Sequence, residues 1–246
     1  MKKLLFIVNP KAGKAAIKNK LLAIIDMFTK ADYQVTVYPT QAKKDAVRLV
    51  REQASNYDLL VCSGGDGTLD EVVTGIMRAS CPVPIGYIPA GSTNDYAKSL
   101  GIPSDNIKAA QNIINGTPFL CDVGIFSDRY FVYIAAFGAF TEVSYSTPQQ
   151  TKNLVGHLAY LLEGARSLTA IKSYSVAVAY DDELVEGEYI FGMVTNSISV
   201  GGFKRFRGNE VQYDDGLFEG LFIKQPKNPL ELQAIIGALL MNDVNE

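Results

Sequence analysis

The sequence predicts an α/β domain followed by a strand-rich, antiparallel domain, and three observations predict it. Up to about Phe126, short apolar runs alternate with stretches of helical period, a βαβα order that builds a parallel sheet. Two of those runs end in glycine turns, SGGDGT and PAGSTND, each leading into a helix-like stretch. From Leu120 onward strands follow one another with a single long helical pattern between them. The expected division is 1–126 for the α/β domain and 127–246 for the second.

Leu4 to Val8 reads as a buried strand that stops at Asn9-Pro10. The loop NPKAGK and an amphipathic helix bearing Leu21, Leu22, Ile25 and Phe28 follow. Gly13-Lys14 is not a Walker A loop: its first glycine would fall at Val8, and Ala15 stands where Ser or Thr is needed. Val35 to Tyr38 is the second strand, and Thr40 is positioned to cap the helix carrying Ala46, Val47, Leu49 and Val50. Leu59 to Cys62 is the third, and Leu69, Val72, Val73 and Ile76 put a helix after its glycine turn. Ile85 to Ile88 is the fourth.

Beyond these, Cys121 to Phe126, Tyr130 to Ala135, Ser173 to Tyr180, Glu188 to Val194 and Leu217 to Lys224 read as strands. Residues 151–168 read as a helix, Asp181-Asp182 as a hairpin turn, and LELQAIIGALL as a last helix.

The glycine turns carry the chemistry. Gly64, Gly65 and Gly67 let backbone N–H groups approach an anion, and the helix start after them adds partial positive charge. Asp66 repels phosphate, so its place there points to a metal, a proton transfer or a hydroxyl partner. In the second turn Ser92 and Thr93 offer hydroxyls, Asn94 can bridge two partners, and Asp95 supplies another carboxylate. Both turns follow strands of one parallel sheet. They are expected on one edge, in one cleft with Asn9 and Thr40.

In the second domain, QYDDGLFEG is open to two readings. Asp214, Asp215 and Gly216 form a turn, or Asp215, the Leu217 carbonyl and the Gln212 amide oxygen take a hard cation. Gly201-Gly202 reads as a bulge or hairpin, and His157, the only histidine, as structural or exposed.

Composition narrows the classes. Of 246 residues 48% are apolar, enough for a packed core, and a net charge of −3 argues against a nucleic-acid surface. Three scattered cysteines fit neither a disulfide framework nor a metal spacing, which points to a reducing cytoplasm. The longest nearly apolar run, Tyr130 to Phe140, is too short to span a bilayer, so membrane contact is expected to be peripheral.

With NPKAGK, GGDGTLDEV, PAGSTNDYA, NLVGHLAYLLEG, TNSISVGGF and DDGLFE in this order, nearly the whole chain resembles the diacylglycerol kinase catalytic-domain family of soluble bacterial lipid kinases, related to sphingosine kinases. GGDGT alone is similar to NAD kinases and phosphofructokinases; GSTND is similar to the lipid kinases only.

The resemblance implies a Rossmann-like nucleotide-binding domain, a C-terminal antiparallel β-sandwich for the lipid, and ATP-dependent phosphorylation of a hydroxyl of diacylglycerol or a related lipid. It carries ATP contacts onto Asn9, Lys11, Gly13, Thr40, Gly64, Gly65, Gly67, Thr68, Glu71 and Ser92. Catalytic roles fall on Asp66, Asn94 and Asp95, with Asp66 and Asp95 either holding magnesium or orienting the acceptor hydroxyl. Matching positions place a structural Mg2+ at Gln212, Asp215 and Leu217.

The family's late Asp-Gly-Glu segment, whose Glu acts as or assists the general base, is absent from this sequence, and Glu71 is no substitute for it. The expectation is that the sequence stops short of that base and of the last strands. A kinase of a soluble substrate such as NAD, and a non-catalytic nucleotide- or lipid-binding relative, are the alternatives. Partners expected are a lipid at the membrane surface and no nucleic acid, with a homodimer open. Phe203, Lys204, Arg205, Phe206 and Arg207 read either as an ordinary loop or as a patch for anionic headgroups.

Overall fold

The computed structural model describes residues 1–13, 16–138, 171–197, 199–200, 203–204 and 212–241. The predicted helix 151–168 with His157, Lys14, Gly201-Gly202 and the side chains of the 203–207 patch lie outside the described residues. The chain divides into two units, Met1–Tyr133 and Ile134–Glu246.

In the first unit four parallel strands are ordered β2-β1-β3-β4: β1 Lys2–Val8, β2 Tyr33–Pro39, β3 Leu59–Gly64 and β4 Ile85–Pro89. Each expected strand is present, extended by a residue or more. Apolar residues on both faces of β1 and β3 make them the buried centre, as a sheet covered on both sides requires. The helices α1, Leu21–Lys30, α2, Asp45–Gln53, and α3, Asp66–Ala79, follow the first three strands; the short α4, Asp95–Ser99, and α5, Asn106–Asn115, follow the fourth. On one face Leu4, Phe6, Val61 and Ile88 pack with Ile24 and Phe28 of α1 and with Ala109 and Ala110 of α5. The rings of Phe6 and Phe28 meet edge-on, 6.3 Å apart. α2 and α3 pack against each other, and α3 also packs on β3.

Because β2 and β3 flank β1 on opposite sides, the chain changes direction across the sheet between β1 and β3. That is the switch point where open α/β sheets bind ligands.

Three expectations change here. Thr40 does not cap α2, which starts at Asp45 after Lys44; Asp45 itself accepts the Gln41 N–H at 2.9 Å and turns the chain into the helix. The run from Tyr130 to Ala135 is not one strand. Arg129–Phe131, β6, folds back on β5, Gly124–Phe126, whereas Ile134–Gly138, β7, joins the second unit's sheet. The division therefore falls after Tyr133 rather than at Phe126. Thr74 of α3 fixes the hairpin to the first unit, exchanging hydrogen bonds of 3.3 and 3.4 Å with Tyr130.

The second unit is built on a long strand β9, Glu183–Thr195, which pairs antiparallel with β7, with β8, Tyr174–Tyr180, and with β12, Glu219–Lys224. Asp181 and Asp182 form the expected two-residue hairpin, with Tyr180 opposite Glu183 and Asp181 at φ +46°. Ser199–Val200, β10, and Phe203–Lys204, β11, form a separate pair. The last helix, α6, spans Pro229–Met241 and is capped by Asn228, whose Oδ1 accepts the Glu231 N–H while Glu231 returns to the Lys227 N–H.

Candidate active site at the sheet edge, and a polar turn in the second unit

The ends of β1, β3 and β4 lie level, with Val8 opposite Ser63 and Gly64 opposite Pro89, so the loops after them open on one edge. The glycine corners are in contact. Both the Ala90 and Gly91 N–H groups donate to the Gly64 carbonyl, at 2.7 and 3.1 Å. A Cβ on Gly91 would lie 2.5 Å from the Gly65 Cα, closer than any side chain sits to backbone. Gly13, at φ +50°, approaches the same corner: its Cβ would meet the Ala90 carbonyl oxygen at 2.5 Å.

Asn9 pins the first loop. Its N–H donates to the Ser63 carbonyl at 2.8 Å, its Nδ2 to Thr68 Oγ1 at 2.9 Å, and its Oδ1 accepts the Lys11 N–H at 3.0 Å. The Thr40 N–H donates to the Val8 carbonyl at 2.9 Å, which places Thr40 beside the end of β1. Lys11 and Ser92 are exposed at the edge. Gly67 opens outward, with open space where a Cβ would be. The residue before α3, Gly65, gives no side-chain cap; its carbonyl takes the Thr68 and Leu69 N–H groups at 2.9 and 3.2 Å, and the helix start at Asp66 and Gly67 is the end that favours an anion.

Asp66 is the best-held group of the site. Its Oδ2 accepts the Asp95 N–H at 3.1 Å and the Tyr87 hydroxyl lies 3.4 Å from its Oδ1. Burial raises its pKa, opposed by the Asp95 N–H and helped by the Asp95 charge. Asp95 directs its own carboxylate to Lys98 at 2.9 Å. Asn94, left-handed at φ +51°, is committed to its own loop: Oδ1 accepts the Gly91 N–H at 2.8 Å and Nδ2 donates to the Gly91 carbonyl at 3.0 Å. Glu71 turns to the start of α2, accepting the Lys44 N–H at 2.8 Å.

Two further groups belong to this neighbourhood. Asp70 lies one helical turn after Asp66; burial pushes its carboxyl up to about 7, with the Val132 N–H opposing and the Asp66 charge adding. Its Oδ1 is buried with no hydrogen-bond partner among the described residues. Tyr87 is the other. The i, i+4 spacing of Asp66 and Asp70 was the available signal, but Asp70 reads as a surface position in a helix with charged neighbours.

In the second unit Asp215 forms an Asx turn, its Oδ1 accepting the Leu217 N–H at 2.9 Å, with Gly216 at φ +79°. Gln212, Asp215 and Leu217 are exposed. Two buried acceptor atoms stand close in strand register, Asn196 Oδ1 and Glu219 Oε2, and among the described residues neither has a partner. Burial raises the Glu219 pKa, and the Asp215 charge adds to the rise. Among the described residues no three His, Cys, Asp or Glu side chains converge as a metal set, so a cation here would draw on amide and carbonyl oxygens as well. Orphaned oxygens beside a carboxylate turn are a donor set that fits a hard cation.

The fold and the glycine-lined edge define an α/β protein with a candidate site at the sheet's switch point. Comparison with known proteins places it further. The family model "Diacylglycerol kinase catalytic domain" matches residues 3–125. A diacylglycerol kinase of Bacillus subtilis strain 168 is 36% identical over 248 residues, covering 100% of this chain and 82% of the relative. One of Staphylococcus epidermidis is 37% identical, covering 94% and 72%. A crystal structure of a diacylglycerol kinase from Bacillus anthracis str. Sterne superposes with a TM-score of 0.75 at 28% identity, covering 100% of this chain and 81% of that one. The chain belongs to the diacylglycerol kinase catalytic-domain family, a family of phosphotransferases with an alcohol acceptor.

Proposed function

We propose that this protein is an ATP-dependent, magnesium-dependent kinase that phosphorylates a hydroxyl of diacylglycerol or a related lipid at the membrane surface. The observation that supports it best is the contact of the two glycine corners, which sets donor N–H groups and the carboxylate of Asp66 on one edge. In this reading the phosphates lie against Asn9, Gly13, Gly65, Gly67, Thr68 and Ser92, with Lys11 as counter-charge and Thr40 at the rim. Backbone donors held by the sheet need no reorganisation as charge moves to the γ-phosphoryl oxygens. Asp66, fixed by the Asp95 N–H and Tyr87, accepts the hydrogen bond of the acceptor hydroxyl and aims its oxygen in line.

Asn94 acts through Gly91, holding the second corner in shape. Gln212, Asp215 and Leu217 would hold a magnesium ion in the second unit. Magnesium, when bound with the nucleotide, spreads the charge of the transferring phosphoryl group. The acceptor is met from the cytoplasmic side by peripheral contact; among the described residues no helix is long and apolar enough to cross a membrane.

The test is Asp66→Asn assayed with ATP, magnesium and diacylglycerol vesicles beside a panel of other lipids and NAD. Transfer to the lipid is expected to fall by about 100-fold or more with thermal unfolding little changed. Normal turnover by that variant, or preference for the soluble acceptor, rejects the assignment.

A further inference from the structure

Asn196 is fully buried, at 0% exposure, directly after the last residue of β9. Its Nδ2 donates to the Tyr213 carbonyl at 3.3 Å, which ties it to the turn that contains Asp215. Glu219 begins β12, and the register sets it opposite Thr195, next in sequence to Asn196. So the neighbouring strands β9 and β12 and the turn before β12 bring Asn196, Asp215 and Glu219 to one end of the sheet.

Their hydrogen-bonding needs do not close. Among the described residues neither Asn196 Oδ1 nor Glu219 Oε2, both buried oxygens, has a donor, although the Glu219 N–H reaches its own carboxylate. The like charge of Asp215 reaches Glu219 and adds more negative potential. Orphaned buried acceptors are rare, and each costs about 1–3 kcal/mol, more when charged. Two at one strand end, beside a second carboxylate, call for a positive species that supplies what no protein donor does.

We propose that Asn196 and Glu219 complete the cation site of the Asp214-Asp215-Gly216 turn. Glu219 is its second carboxylate and Asn196 Oδ1 its buried neutral oxygen. The species that fits is a hard divalent cation of magnesium type. Such an ion takes one or two carboxylates, neutral oxygens and waters, and Gln212 and Leu217 supply further neutral oxygens. The inference rests on the magnesium reading of Gln212, Asp215 and Leu217 and extends it into the sheet. It makes that ion a structural element, one that would lock the start of β12 to the end of β9, where the orphaned acceptors otherwise repel.

The experiment uses the full chain without nucleotide and Mn2+ as the probe, bound ion being read from loss of the free-ion paramagnetic signal. Thermal unfolding is followed in parallel, in EDTA and in Mg2+. Wild type is expected to bind Mn2+ and to unfold at higher temperature in Mg2+. Glu219→Gln and Asn196→Leu are each expected to weaken Mn2+ binding about 10-fold or more. Glu219→Gln is also expected to be at least as stable as wild type in EDTA, since it removes a half-buried carboxylate repelled by Asp215, yet to gain less from Mg2+.

Asp215→Asn separates the two levels of the proposal. If it loses Mn2+ while Glu219→Gln binds like wild type, the extension fails and the turn site stands. If all three variants bind like wild type, the turn site fails as well. A Glu219→Gln protein that is less stable than wild type equally in EDTA and Mg2+ assigns Glu219 a packing role and overturns the inference.

Discussion

Asp70 gives the sharpest expectation at the scale of single residues. Its folded pKa, about 7, lies above the ordinary 3.8, so the folded protein holds a proton there that the unfolded chain releases. Stability from this group is therefore fully present at low pH and is lost as pH rises from about 4 to about 7. That interval caps the loss at about 4 kcal/mol. Asp70→Asn should flatten the slope and raise the melting temperature at pH 8, measured by a pH series of thermal unfolding. An unchanged slope would show that Asp70 is ionised in the native protein. Asn94 offers a second case. Alanine there removes both hydrogen bonds to Gly91, and a cost of about 1–3 kcal/mol is expected, with weakened nucleotide binding.

At the scale of elements, the two glycine turns separate positions that sequence alone treats alike. Gly91→Ala forces a Cβ to within 2.5 Å of Gly65 and 2.7 Å of Asn94 Oδ1, and about 1–3 kcal/mol of destabilisation is expected by chemical denaturation. Gly67→Ala meets open space in the first turn of α3 and should be neutral or stabilising by about 0.5–1 kcal/mol.

The four parallel strands were legible because their apolar runs end at Asn-Pro, Pro-Thr, Gly-Gly or Pro-Ala-Gly, and Asp181-Asp182 because a turn between two strand patterns leaves little choice. The exchange of partners between β6 and β7 was not. The run from Tyr130 to Ala135 is apolar throughout, and nothing in a continuous run marks where it leaves one sheet for another. Thr40 failed as a cap because Asp45, nearer the helix, takes the Gln41 N–H itself. Asn196 and Glu219 were invisible for a different reason: an orphaned acceptor is defined by what surrounds it, not by its type.

At the scale of the whole molecule, the first unit holds its own core and the complete set of loops at the sheet edge, and it ends beyond the hairpin that Thr74 fixes to α3. Residues 1–133 expressed alone are expected to unfold cooperatively and to bind ATP. Residues 1–126 lack Tyr130 and Phe131, so they should be less stable by about 1–3 kcal/mol. Paired denaturation curves of the two fragments check this, and equal stability would return the boundary to Phe126.

The touching corners of the α/β unit also bear on how this family can vary. Because a Cβ on Gly91 would stand 2.5 Å from the Gly65 Cα, Gly91 cannot be replaced by a single mutational step without displacing its counterpart, whereas a Cβ on Gly65 would stand 3.3 Å from Gly91 and ask it to give only slightly. Their evolutionary fates are coupled: in a saturation library scored for folding alone, position 91 should be nearly empty of survivors and position 65 sparsely filled, while position 67, where a Cβ meets open space, should tolerate many residues.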